Sequence, residues 1–391
     1  MKLLLIKAFA EIHAYSQFVE SLGRGLAELG HEVVISDQSV HVVDGVAPAQ
    51  ELARELQLGR FEACVSFSSF FGGVTLDNGV SLFDALGIKF LGWQLDHPIY
   101  APHSLARALQ GRYAVYSNHN HLRFAQALKL PGRGTTMLLG AEPPQAPLKG
   151  YHERKWPVFI AASFVGRPQA LWEQAEESVG KRLLIGVVER LMADREASLL
   201  EAFNATSDGL SLGVRFGVDP GLDDQLVALL REPLTYVRQL DRIRIVEALA
   251  QSGLPVAVSG PGWREILGER DNVTHLDSWV AFKDIADHYN DAKIVINLNA
   301  GNGACERATY AALAGAAVVS DFSADLVAQF EGPGEIALYD RAAPQGISDL
   351  VRNLIESDAG EAMAHNGRQR ILTSGLVRHR AQQIVDFLAT A

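Results

Sequence analysis

DAKIVINLNAGNGACERATYAALAGAAVVSD, residues 291–321, decides how the rest of the chain is read. Ile294, Val295, Ile296 and Leu298 form a short apolar run, the pattern of a strand buried on both faces. Residues 299–304 follow with two glycines and two asparagines. Residues 306–314 are rich in alanine, a strong helix former. Gly315 suits the left-handed conformation that ends a helix, and residues 316–320 are apolar and partly β-branched again. Two buried strands joined by a helix pair in parallel through a right-handed crossover. The carboxyl end of the first strand then opens onto a loop and a helix N-terminus. Doubly wound sheets bind ligands at that place, and free N–H groups with the positive end of the helix dipole favour a phosphate there.

Outward from this stretch, the 391 residues are enough for two domains of ordinary size, and 48% hydrophobic content supplies two cores. No apolar run approaches the ~20 residues of a spanning helix, so no membrane span is expected. The start, MKLLLIKAFAEIHAY, has too short an apolar part for a signal peptide and reads as a first strand. Cys64 and Cys305 make neither a disulfide framework nor a metal spacing, and the expected location is cytoplasmic. A net charge of −11 argues against broad nucleic-acid binding. A local basic cleft for a diphosphate remains compatible with it.

Strand and helix patterns alternate over residues 1–142: strands at 2–6, 31–36, 63–67, 89–93, 113–117 and 137–139, helices at 16–29, 49–58, 78–86, 104–109 and 121–128. This is a parallel α/β domain. Residues 143–155, proline-rich and charged, read as a linker. A second α/β domain is expected over 156–375, with strands beginning at 156, 256, 273 and 294. Residues 168–230 carry helical pattern without strands, and a further helix covers 236–251. Residues 376–391 form a last helix.

The run NLNAGNGACERATYAALAGAAVVSD also resembles the donor-site segment of GT-B glycosyltransferases, above all the CgeB-like, spore-maturation-type group. The shared features are an Asn at the strand end, a Gly-containing loop, an acidic–Arg pair opening a helix of small residues, and Gly-Ala before the next strand. The resemblance is strongest over 238–325, weaker over 1–40 and 89–125, and absent from 168–230. It implies GT-B architecture: two Rossmann-like domains facing a cleft, the first on the acceptor side, the second holding a nucleotide-diphosphate sugar, with the last helix crossing back to the first domain. It implies transfer of a sugar to an unidentified acceptor without bound metal or other cofactor. A GT-B epimerase or hydrolase, or a non-catalytic nucleotide-sugar-binding protein, stands as the alternative. One feature departs from the family. Retaining members carry a second glutamate in this helix, and the corresponding position falls at Ala311 or Tyr310, neither acidic.

The candidate donor site comprises Asn297, Asn299, Gly301, Asn302, Gly303 and Ala304, with the backbone amides of residues 301–304 suited to a diphosphate and Arg307 as counter-charge. Glu306 suits a ribose or sugar hydroxyl, or simply favours the helix dipole. Gly260, Gly262 and Trp263 form a G-x-G-W turn at a strand end, which the family places near the nucleotide. Arg238 and Arg242, four apart, share one helix face and suit the diphosphate, or are merely solvated. On the acceptor side, Asp96 beside His97 offers a base with an orienting partner, in either order, or a capped strand exit. His13, in the loop after the first strand, is a second candidate base, from its position in inverting GT-B families. His97, His103, His119 and His121 lack the spacing and acidic partners of a metal site.

Overall fold

The computed structural model describes residues 1–9, 14–39, 49–101, 105–164, 166–194, 196–276, 280–298 and 305–390. They fall into two compact units, one of residues 1–142, 281–283 and 375–391, the other of 143–280 and 284–374. The first contains β1 (Lys2–Lys7), α1 (Ala14–Glu28), β2 (Glu32–Asp37), α2 (Ala49–Gly59), β3 (Ala63–Phe67) and α3 (Leu82–Leu86). It continues with β4 (Lys89–Gln94), β5 (Arg112–Tyr116), α4 (His119–Ala127) and β6 (Arg133–Thr136). The sheet order is β2-β1-β3-β4-β5-β6, every pairing parallel. Leu3, Leu4, Leu5 and Ile6 are all buried. Both faces of β1 are covered, which is why its sequence is a run rather than an alternation. Phe18, Val19, Leu22 and Leu26 form the buried stripe of α1.

Three local expectations are corrected here. The helix expected at 78–86 is confined to Leu82–Leu86. Asn78-Gly79 instead turns a small hairpin, with Leu76 N–H bonding Val80 O at 2.9 Å and Thr75 bridging Ser81. An Asn-Gly pair is itself a hairpin signal, and it overrides the helical spacing. Of the helix expected at 104–109, Ser104 lies outside the described residues, Leu105 is in a 3-10 turn, and 106–110 form no α-helix. The Asp84 carboxylate holds their end by accepting from Gln110 and Gly111 N–H, each at 2.7 Å. The closing strand is β6, just before the 137–139 expected for it.

From Trp156 the chain forms β7 (Trp156–Ala161), α5 (Val179–Ala193), α6 (Leu199–Gly209), α7 (Pro220–Gln251), β8 (Val256–Ser259) and α8 (Trp263–Leu267). Next come β9 (Val273–Leu276), α9 (Phe282–Asn290), β10 (Ala292–Asn297), α10 (Glu306–Leu313), β11 (Ala317–Ser320) and α11 (Ala324–Phe330). Then follow β12 (Ala337–Leu338), α12 (Gly346–Glu356), α13 (Ala359–Ser374) and α14 (Val377–Ala389). The second sheet runs β12-β11-β10-β7-β8-β9, again all parallel. Gly315, at φ +78°, ends the helical turn as read from the sequence.

The helices at 168–230 and 236–251 were expected to be separate, yet α7 is one 32-residue helix that passes through Pro233. Proline removes one helical hydrogen bond. Burial of Leu226, Leu230, Leu234 and Val237 along the same stretch offsets that loss. The linker is pinned to the second unit rather than loose. Lys149 N–H bonds Asn290 Oδ1 at 3.0 Å, and the Arg154 guanidinium holds Ala292 O at 2.8 Å and Ala314 O at 3.1 Å. The segment from Gly375 returns to the first unit. Ala141 N–H bonds Gly375 O, and α14 packs on α1 where Gly25 leaves room for Ala381 and Val377.

Each sheet has one topological switch point. In the first, β1 leads to β2 on one side while β3 lies on the other. In the second, β7 leads outward to β8 while β10 lies on its other side. Loops leaving the carboxyl ends of such neighbours diverge and open a crevice.

Candidate functional site

At the second switch point the residues after β7, β10 and β11 meet the first turn of α10. Asn297, last in β10, has no exposed surface. Its Nδ2 donates to Ser320 Oγ at 2.9 Å, and its Oδ1 accepts from Cys305 Sγ at 2.8 Å. It was expected to contact substrate, but its side chain is spent as a brace between β11 and the residue that caps α10. Glu306 and Arg307 are half-buried in the first turn of that helix. Arg307 donates to Leu298 O at 3.0 Å and lies 3.9 Å from the Glu306 carboxylate. Asn299, Gly301, Asn302, Gly303 and Ala304 lie outside the described residues, as does His13.

Arg238 and Arg242, one turn apart on α7, are brought to the same place. Arg242 donates to Ser163 O, just beyond β7, at 2.8 Å. Burial first, then the like charges of Arg238 and Arg307, push its guanidinium down to about 9. Burial weakens any charged side chain, and the two neighbouring guanidiniums add to it, so Arg242 sits where positive charge is crowded. Two acids stand nearby, and both hold their protons unusually well. Burial raises Asp241 to about 6, against the pull of Arg341 and of the Tyr339 hydroxyl, which donates to it at 3.3 Å. Burial and then the charge of Asp241 raise Asp321 to about 7. The arrangement is a group of guanidiniums beside a helix N-terminus.

The Gly260-Pro261-Gly262 turn follows β8. Gly260 has φ +119° and a Cβ there would lie 2.6 Å from Ala162 O; Gly262 has φ +89° and a Cβ would lie 2.4 Å from Phe164 O. Both glycines let this turn press against the backbone leaving β7, the segment that also receives Arg242. Trp263 was expected near the nucleotide. Its indole is instead 1% exposed, donates to Ala162 O and packs 5.5 Å from the Phe164 ring. It is a core residue, and the turn's part in the site is to hold the β7 exit.

In the first unit, Asp96 follows β4 and is half-buried, and its Oδ2 accepts from Tyr15 Oη at 3.2 Å. His97 points elsewhere. Its Nδ1 accepts from Ile99 N–H at 3.2 Å, and its ring lies 4.9 Å from that of His121 and 4.6 Å from that of Phe124. Burial, then His121, lower its basicity well below the usual histidine range. This corrects the reading of His97 as base or orienter: it is a buried neutral cap. Sequence reasoning missed Tyr15, because a phenol 81 residues from its carboxylate leaves no local signal. Among the described residues no three His, Cys, Asp or Glu side chains are placed to hold a metal.

A family model described as glycosyl transferase-like matches residues 238–386. No curated protein matches the chain. Among solved structures, Anabaena Alr3699/HepE in complex with UDP-glucose is similar over all of both chains, at 12% identity and TM-score 0.57. Sucrose-phosphate synthase from Thermosynechococcus elongatus covers 98% of this chain and 97% of its own, at 11% identity and TM-score 0.54. AviGT4, a glycosyltransferase involved in avilamycin A biosynthesis, covers 100% and 98%, at 13% identity and TM-score 0.51. The fold is GT-B, two parallel six-stranded α/β sheets with the architecture of glycosyltransferases. The matched segment begins at Arg238 and includes Arg242, the turn at Gly260–Trp263 and Arg307.

Proposed function

We propose that the chain, a glycosyltransferase by fold and by its matched segment, moves a sugar from a nucleotide-diphosphate sugar to a hydroxyl acceptor. The observation that carries this reading is the gathering of Arg238, Arg242 and Arg307 at the second switch point, with Arg242 lowered first by burial and then by the charge of the other two. A diphosphate is the natural occupant of such a place. As the sugar carbon is attacked, its bond to the diphosphate breaks and the electron pair leaves with the phosphate oxygen. Preorganised guanidiniums stabilise that charge. The acceptor oxygen bonds to the sugar carbon and its proton passes to Asp96. The arginines supply the positive charge that a divalent cation supplies elsewhere, so the reaction proceeds without metal. UDP-glucose, bound in the Anabaena neighbour, is the first donor to try. The motif in residues 297–321 supports placement in the CgeB-like group, and the chain's two free cysteines, Cys64 and Cys305, are compatible with a cytoplasmic site of action. The test is isothermal calorimetry with UDP and UDP-glucose, with sugar transfer then assayed in EDTA. Saturable diphosphate binding and EDTA-insensitive turnover are expected. Absence of nucleotide binding overturns the reading, and donor consumption without transfer to any acceptor points to the hydrolase alternative.

A further inference from the structure

At the first unit's switch point, three side chains from three elements form a directed chain. Ser68, the first residue after β3, donates from Oγ to Tyr15 Oη at 3.1 Å, and Tyr15, in the first turn of α1, donates to Asp96 Oδ2 at 3.2 Å. The serine proton occupies a lone pair on the phenol oxygen, and this turns the phenolic proton toward the carboxylate. The ring has little freedom. Phe9 meets it edge-on at 5.3 Å and Phe67 stacks on it at 6.4 Å, itself stacked on Trp93 at 5.4 Å. Ser68 and Ser69 are both left-handed, at φ +54° and +56°, an unfavourable state for two consecutive residues with side chains. Ser68 N–H bonded to Trp93 O at 2.7 Å holds one of them there, and Gln94 Nε2 bonded to Ser69 Oγ holds the other. The backbone conformation that aims Ser68 at Tyr15 is therefore maintained against its own preference.

We infer that Tyr15 is a positioning residue that fixes the plane of the Asp96 carboxylate for the acceptor hydroxyl, with Ser68 setting the direction of the Tyr15 proton. This rests on the reading of Asp96 as the group that takes the acceptor proton. A rigid phenol bonded to one oxygen holds a carboxylate in one plane, and a base turned away from its hydroxyl loses most of its effect.

The test uses the full chain with UDP-glucose as donor and water as acceptor, reading UDP release at saturating donor and UDP affinity by calorimetry. Tyr15→Phe keeps the ring and removes one oxygen. We expect kcat to fall about 10- to 100-fold with UDP affinity unchanged. Ser68→Ala, which leaves the phenol in place, is expected to cost about two- to fivefold. The decisive variant is Tyr15→Phe combined with Asp96→Asn. If Tyr15 acts through Asp96, the pair is no slower than Asp96→Asn alone; a merely structural role multiplies the two losses. Wild-type kcat in both Tyr15→Phe and Ser68→Ala, or multiplied losses in the pair, overturns the inference while the transferase reading stands. A wild-type protein that binds UDP yet releases none from UDP-glucose removes the role of Asp96, and the inference with it.

Discussion

Arg242 concentrates the chemistry of the second unit in one side chain: it is fixed to Ser163 O, half-buried, and crowded by Arg238 and Arg307. Removing it relieves like-charge repulsion in the empty protein and, on the proposed function, deletes a charge-assisted hydrogen bond to the diphosphate. Arg242→Ala should therefore weaken UDP binding by about 1.5–3 kcal/mol, roughly ten- to hundredfold in Kd by calorimetry, with thermal stability held or raised. Wild-type UDP affinity in both Arg242→Ala and Arg238→Ala would remove the diphosphate from this place. Asp321 gives a second residue-level prediction, with a defined sign. Its carboxyl rises from the ordinary 3.8 to about 7 in the folded protein, so the folded state holds the proton more tightly than the unfolded chain. That contribution is complete below about pH 4 and is lost as the pH rises to about 7. Asparagine does not ionise, and it keeps an oxygen for the Ser320 hydroxyl. The stability of Asp321→Asn relative to wild type should climb across pH 4–7, by up to about 1.4 kcal/mol per unit in urea titrations. A difference independent of pH would show that Asp321 is not buried as a neutral acid.

Elements differ in how openly the sequence announces them, and the reason is the range over which each is determined. The β10–α10–β11 unit is legible because its strands are apolar runs, its helix is alanine-rich and Gly315 ends it, all decided within 31 residues. The single helix through Pro233 is not legible, since what offsets the proline is tertiary burial. The partial helix at 82–86 and the place of Trp263 follow the same division. Asn78-Gly79 can be seen as a turn, whereas the Ala162 carbonyl that receives the indole is 101 residues away. Arg238, Arg242 and Arg307 were recognisable by type and spacing, but only the fold brings the α7 pair beside α10. The turn at 260–263 yields an element-scale prediction. Trp263→Ala should cost about 3–5 kcal/mol in denaturant unfolding, the usual range for a fully buried aromatic. UDP affinity of the folded fraction should change less than in Arg242→Ala. The reverse ranking, with stability kept and nucleotide affinity lost, would return Trp263 to the donor site.

At the scale of the whole chain, the first unit is interrupted in sequence by the second: the last residues, from Gly375, belong to the first unit. Val377, Ile384 and Leu388 are buried on α14, which packs along α1. At about 1.5–3 kcal/mol for each side chain, this helix contributes on the scale of the 5–15 kcal/mol that stabilises an entire domain. The arginines of the proposed diphosphate site, by contrast, Arg238, Arg242 and Arg307, all belong to the second unit. A chain ending at Ser374 should therefore lose or greatly lower the calorimetric transition of the first unit and keep that of the second. UDP at 100 times its Kd should still raise the surviving transition, corresponding to about 2.7 kcal/mol of added stability, while sugar transfer is abolished with the loss of Asp96's setting. Scanning calorimetry of both chains with and without UDP separates the outcomes. If truncation leaves the thermogram unchanged, α14 is not part of the first unit's core. If the shortened chain keeps one transition that UDP no longer shifts, the donor site needs more than the residues assigned to it.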